Sequence, residues 1–298
     1  MRRPLAALAL IALVATLSLS ARPGPAAASA ADTSVYAGLG TWISIYGTRA
    51  FTQPDTVAAA IAARGVKTVY VETSNYSQTA DIVRPAQLGT LVDALHARGV
   101  RVVAWYLPGF VKPTLDLRRA LAAVQFTTPT GGRFDGFALD IEATAVKRAA
   151  LRTKRAIAVS EQLRAAVGDS YPLGAIIPSP RGLVIKPAYW PSFPYAQLAG
   201  MYDVLLPMVY WTYSTRGPDG AYGYLAWALT LLRAGVADPN VPIHLVGGTS
   251  YRASLDEEQA FAQLVVNDAH LLGWSLYDWF GTKPSAWKAL AGIPATTG

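Results

Sequence analysis

Eight short apolar segments, each followed by a stretch with helical spacing, constrain this chain more than any other feature. The strand candidates are Gly40–Tyr46, Val66–Glu72, Arg101–Leu107, Phe134–Glu142, Leu173–Ser179, Tyr202–Trp211, Pro242–Thr249 and Gly273–Phe280, all rich in β-branched and aromatic residues. Helical patterns run from Pro54 to Gly65 and over Gln87–Arg98, Leu115–Val124, Ala149–Val167, Ala221–Ala234 and Ser254–Asn267. The fifth of eight in chain order, over about residues 186–200, is broken by Pro187, Pro191 and Pro194, and the last, Pro284–Ala291, is short. Strands that alternate with helices pair in parallel through right-handed crossovers. An open doubly wound sheet is the competitor, but Tyr46-Gly47-Thr48-Arg49 after the first strand lacks a G-x-G-x-x-G phosphate loop. The pattern predicts a single (β/α)8 barrel over residues 31–298, entered by a loose leader at about residues 31–36, with no linker or second domain.

Residues 1–30 read as a signal peptide. Arg2 and Arg3 precede the apolar run Leu5–Leu19, and Ala28-Ser29-Ala30 offers a small-residue cleavage site. That run is short for a membrane span, so the expectation is a secreted, extracellular or cell-wall-associated protein with no stable membrane anchor after cleavage. The rest of the chain is long enough to bury a core that stands without disulfides. There is no cysteine, which excludes thiol catalysis and thiolate metal sites. His96, His244 and His270 have no partner at metal-ligand spacing, so neither a metal nor a cofactor is expected. No G-x-S-x-G elbow is present, which disfavours an esterase. The formal charge of +7 falls to +4 once Arg2, Arg3 and Arg22 leave with the leader. The most basic run, Lys147, Arg148, Arg152, Lys154 and Arg155, reads as a solvated helix face; weak attraction to an anionic polymer is the sharper alternative. Nothing else points to nucleic acid.

A barrel of this kind carries its chemistry where its strands end. Those ends hold four carboxylates, Glu72, Asp140, Glu142 and Asp278, together with the aromatic residues Trp42, Tyr46, Trp105, Tyr106, Tyr210, Trp211, Tyr277 and Trp279. Sugars present an apolar ring face and hydrogen-bonding hydroxyls, so this mixture suits a glycan. In the fourth segment Gly136, Ala138, Asp140 and Glu142 share one face, and Phe137, Leu139 and Ile141 the other. Ionised groups are costly at the end of a buried strand unless they are paired or functional. Two residues along a strand span roughly 6.6–6.8 Å between Cα atoms. Asp140 and Glu142 are therefore close enough to raise each other's affinity for a proton.

The stretch Asp135-Gly136-Phe137-Ala138-Leu139-Asp140-Ile141-Glu142 resembles the D-G-x-D-x-D-x-E signature of glycoside hydrolase family 18, the chitinase-like barrels. Met208-Val209-Tyr210 is similar to that family's M-x-Y at strand six, and Tyr277 to Trp279 is similar in place to its sugar-platform tryptophan. The resemblance implies that Glu142 is the general acid, that Asp140 orients a substrate acetamido group, and that Tyr210 hydrogen-bonds the acetamido carbonyl. It also implies that the acetamido oxygen attacks the anomeric carbon. The chain departs from the pattern in three places. Ala138 stands for the middle aspartate, Trp211 for the aspartate after the tyrosine, and Trp105-Tyr106-Leu107-Pro108-Gly109 for an S-x-G-G segment. The D-x-E ending also resembles family 25 lysozymes.

Four routes stay open on these residues. Asp140 assists an acetamido substrate; Glu72 or Asp278 acts as nucleophile at roughly 5–5.5 Å from the acid; either activates water at roughly 6.5–9.5 Å; or the acids only bind sugar. The expectation is a glycoside hydrolase acting on a polysaccharide or cell-wall glycan. The alternative is a catalytically inactive glycan-binding barrel, for which Ala138 and Trp211 are the motive.

Overall fold

The structure, a computed structural model, describes residues 30–293. The signal peptide expected over residues 1–30 falls, Ala30 apart, outside the described residues. Eight parallel strands close into one barrel in chain order, with β1 hydrogen-bonded to both β2 and β8. They are β1 (Gly38–Ile43), β2 (Thr68–Asn75), β3 (Arg101–Leu107), β4 (Gly136–Asp140), β5 (Leu173–Pro178), β6 (Val204–Val209), β7 (Ile243–Gly247) and β8 (Leu271–Leu276). Around them lie α1 (Thr48–Thr52), α2 (Pro54–Ala63), α3 (Pro85–His96), α4 (Pro113–Val124), α5 (Ala149–Val167), α6 (Pro180–Ile185), α7 (Tyr195–Ala199), α8 (Pro218–Val236), α9 (Leu255–Asn267) and α10 (Pro284–Ala291). The expected (β/α)8 barrel is the observed fold. Among the described residues no helix is long and apolar enough to cross a membrane.

Local chemistry explains the helix ends. Six of the helices open on proline, whose missing N–H costs nothing in a first turn. In α9, Ser254 and Glu257 form a reciprocal capping box. Of the helix expected over about residues 186–200 only α7 forms; a second short helix, α6, lies before it, and the proline-rich stretch between them could not supply helical N–H donors.

Alternation along the strands sorts the core into two shells. Phe137, Leu139 and Ile141 join the apolar layer beneath the helices, while Ala138 lies inside the barrel with Trp42, Tyr70, Trp105 and Met208. Residues 31–36, expected as a loose leader, are ordered as a 3-10 turn (Thr33–Tyr36) that stoppers the barrel's N-terminal end. The Tyr36 hydroxyl sits 2.8 Å from the Phe137 carbonyl and 3.2 Å from that of Pro172. Above it His244, fully buried, bridges the Tyr36 carbonyl (2.8 Å) and the Ser275 hydroxyl (2.9 Å). Room for this ring exists because β8 passes it with Gly273, where a Cβ would overlap both the imidazole and the Tyr36 carbonyl.

The basic run on α5 is not the uniformly solvated face its composition suggested. Lys147, Arg148 and Lys154 are exposed. Arg152 is buried, donates to the Val146 and Tyr189 carbonyls at 2.9 and 2.6 Å, and lies over the Trp190 ring at 4.1 Å. Arg155 donates to the Phe110 carbonyl at 2.9 Å. Two of the five cations thus hold loops, an outcome set by contacts distant in sequence.

Candidate active site

The C-terminal mouth of the barrel opens on a cavity of about 320 Å³. Three carboxylates reach it: Glu72, Asp140 and Glu142. Glu72 stands on β2, only 3% exposed. Both of its oxygens are engaged, Oε2 by the Ile45 N–H and Oε1 by the Asn75 amide, each at 3.0 Å. Burial pushes its carboxyl above the ordinary range, and those two donors draw it partly back.

Asp140 is the last residue of β4 and faces the barrel interior. It is 5% exposed, and its Oδ1 is buried without a hydrogen-bond partner. Burial, then the neighbouring charges of Glu142 and Glu72, push its carboxyl well up. Directly before it on the same face stands Ala138, a methyl inside the barrel. Glu142 lies two residues on, in the turn that follows β4 rather than in the strand. Its main-chain carbonyl accepts the Tyr189 hydroxyl at 2.7 Å, which ties the turn to the segment after α6. Burial raises its carboxyl too. Such a group keeps its proton at a pH where an ordinary carboxyl has lost it.

Aromatic rings wall the cavity. Trp42 stacks on Tyr70 at 4.3 Å and meets Trp105 edge-on at 6.0 Å; Tyr277 lies 6.4 Å from Trp42 and 6.2 Å from Tyr210. Trp42 donates its indole N–H to Ser275 Oγ at 2.8 Å, whereas the Trp105 indole N–H is buried without a partner. Burial and the charges of Glu142, the Tyr277 ring and Asp140 hold the Tyr210 phenol well above its usual value. Exposed aromatic residues lie on the segments between the strands and the helices that follow them: Tyr46 and Tyr76 on loops, Tyr213 and Tyr251 in 3-10 turns, Phe280 after β8, and Tyr189 between α6 and α7.

Of the residues singled out in the sequence, Glu72, Asp140, Glu142, Trp42, Tyr46, Trp105, Tyr210 and Tyr277 meet at this cavity. Four do not, which corrects their grouping with the rest. Tyr106 follows the inward Trp105 on β3 and so points outward, donating to Asp116 Oδ1 at 2.7 Å. Trp211 lies in the turn after β6, fully buried in the outer shell and stacked on Phe261 at 5.5 Å. Trp279 packs on Trp287 of α10 at 5.2 Å. Asp278 follows a cis peptide, accepts the Gly281 N–H at 2.8 Å, and lines a side cleft with Thr48, Arg49 and Phe280 that adjoins the cavity through Ser44 and Tyr46 without Asp278 reaching the cavity itself. Of the departures at Ala138 and Trp211, only Ala138 therefore lies inside the barrel.

The structure adds cavity residues that strand ends alone did not single out. Asn75 orients Glu72, and Tyr76, Leu107, Ile176 and Val246 complete the walls. Asn75 was within reach of the sequence, since it closes the run Glu72-Thr73-Ser74-Asn75. Tyr189 carries no local signal, because its role depends on a loop returning to β4. Among the described residues no cluster of His, Asp or Glu is placed to hold a metal ion.

No protein-family model matches the sequence, and no curated protein matches it. Solved structures do resemble the fold. An endo-β-1,4-mannanase from Thermotoga petrophila superposes with a TM-score of 0.65 at 9% identity, over 86% of this chain and 76% of that one. The spore cortex-lytic enzyme SleL of Bacillus cereus gives 0.64 at 8% identity, over 85% of this chain and 73% of that one. A chitinase from Chromobacterium violaceum gives 0.58 at 14% identity, over 85% of this chain and 98% of that one. At such identities the likeness establishes the barrel, of a kind shared by several carbohydrate-active enzymes, and favours no one family.

Proposed function

We propose that this chain is a secreted glycoside hydrolase that acts on a polysaccharide or cell-wall glycan, with Glu142 as its general acid. The observation that carries the reading is the trio Glu72, Asp140 and Glu142 in one aromatic-walled cavity over the barrel axis, with burial raising all three carboxyls. The similar barrels lend support, being named for mannan, spore cortex and chitin breakdown. Secretion rests on the leader pattern of Arg2, Arg3, Leu5–Leu19 and Ala28-Ser29-Ala30.

In this mechanism protonated Glu142 donates to the glycosidic oxygen as the bond from that oxygen to the anomeric carbon breaks. The positive charge that develops on the sugar ring faces Asp140. Glu72, fixed by Ile45 and Asn75, adds negative potential without moving. Water then adds to the anomeric carbon, and its proton returns to Glu142. Where the sugar carries an acetamido group, its oxygen takes the attacking role and Tyr210 is placed on the cavity wall to hold it.

A second reading, a glycan-binding barrel without catalysis, is favoured by Ala138, which leaves Asp140 Oδ1 with no proton-sharing neighbour beneath it. A reducing-end release assay separates the two. Protein spanning residues 31–298 is incubated with chitin, peptidoglycan, β-mannan, β-glucan, α-glucan and galactosaminoglycan, beside Glu142→Gln. Release from at least one polymer, lost in the variant, is the expected result. Release that the variant retains sinks Glu142 as the acid, and binding without release establishes the second reading.

A further inference from the structure

A second cavity, of about 240 Å³, opens beside the first, between the loops that follow β5 and β6. The two share three wall residues, Glu142, Met208 and Tyr210. The far walls differ in character. Where the first cavity holds three carboxylates, the second has Glu142 alone beside one cation, Lys186, and its far wall is dominated by Ile185, Tyr189, Tyr213 and Tyr224 with Ser179. Its shape is set by fixed contacts. Tyr224 donates to Ser179 Oγ at 2.9 Å, Arg252 lies over the Tyr213 ring at 4.6 Å, and Tyr189 is tied to the Glu142 carbonyl at 2.7 Å.

A glycosidic oxygen lies between two sugar rings. An acid that protonates it must therefore have room for a ring on each side, and here Glu142 is the divide between two preformed spaces. The Asp140 side carries the charge that a developing cation needs; the tyrosine side has flat faces and hydroxyls, suited to a ring that undergoes no chemistry. We propose that the side cavity seats the sugar on the leaving side of the bond, so that the ligand is an oligosaccharide or polysaccharide held across both cavities and not a single sugar bearing a small substituent. The inference rests on the carbohydrate reading above and adds Tyr213, Ile185 and Tyr189 as residues that select for chain length.

The test uses binding, so that it does not depend on catalysis. Glu142→Gln protein is titrated calorimetrically with one- to five-unit oligomers of chitin, β-mannan, β-glucan, α-glucan and galactosaminoglycan. In at least one series the dimer or a longer member binds at least about tenfold tighter than the monosaccharide. Adding Tyr213→Ala and Ile185→Ala, both at exposed positions, removes most of that gain and leaves monosaccharide affinity within about twofold. Affinity independent of length, equal losses for monomer and oligomer, or no binding in any series overturns the proposal. If the unaltered protein releases no reducing ends while length-dependent binding persists, the hydrolase reading falls and the two-cavity seat stands.

Discussion

The barrel interior holds a polar cluster at each end, and the two are finished differently. At the N-terminal end Tyr36, Tyr70, His244 and Ser275 find partners among themselves. The Tyr36 carbonyl can only accept, so His244 carries its proton on Nδ1, shared between that carbonyl and the Tyr70 oxygen, and Nε2 accepts from Ser275, whose oxygen in turn accepts the Trp42 indole N–H. At the C-terminal end Asp140 Oδ1 and the Trp105 indole N–H are equally buried and have no partner. The N-terminal cluster serves the fold, whereas the unpaired groups at the cavity are free to meet the ligand that the proposed function requires. The two ends also titrate with opposite sign. Burial pushes His244 down to about 4, so its end loses stability as pH falls from about 6.5 through that value. Asp140 is pushed up, so its end loses stability as pH rises above the ordinary aspartate value through its raised one.

The contrast breaks if one kind of substitution does the other's work. Glu142→Gln should cut hydrolysis by roughly 10²–10⁴-fold while leaving the melting temperature at or above that of the parent; a stability loss instead would make Glu142 a structural group. His244→Ala should do the reverse. It leaves a cavity and strips Ser275 of its acceptor, so urea unfolding at pH 7 should show a loss of about 3 kcal/mol, with a flatter decline between pH 6.5 and 4. A variant as stable as the parent would mean the N-terminal network is dispensable. Asp140→Asn should lose activity and yet gain about 1 kcal/mol at pH 7, the gain vanishing near pH 4 where the native carboxyl is itself protonated. A stability loss at pH 7 would place a hidden partner at Oδ1. The smallest effect belongs to Asp135→Asn at the foot of β4. Its hydrogen bond to His96, at 2.9 Å, raises the imidazole, so the pair contributes below pH 6.5 and the contribution fades as pH rises through the raised value. Both side chains are about a third exposed, which limits the pair's effect to under about 1 kcal/mol, readable as a small shift in thermal unfolding between pH 6 and 8.

Much of this arrangement was legible along the chain. Period-two alternation put Asp140 on the inner face of β4, and five of the eight aromatic candidates share the cavity with three of the four acids. The failures cluster where alternation stops. Trp211, Asp278 and Trp279 come after their strands have ended, where the chain turns and residue parity no longer says which way a side chain points. Tyr106 is a different case, because adjacent residues on a strand cannot both face inward, and Trp105 had already taken that side. The side cavity, the buried Arg152 and the Tyr36 stopper all depend on contacts between segments far apart, for which a single sequence carries no local pattern.

That stopper has a kinetic consequence. Tyr36 bonds to carbonyls 101 and 136 residues further along, so its hydroxyl is secured only after β4 and the approach to β5 are in place. β1, the next element, must also wait for β8 to close the ring. Long loops have to be closed before any of these contacts repays the chain entropy, which makes barrel completion a late and slow event. A fragment ending before Pro172 would retain helices, strand pairs and the bond from Thr68 to the Val35 carbonyl, but the Tyr36 hydroxyl would lose one of its two carbonyl partners.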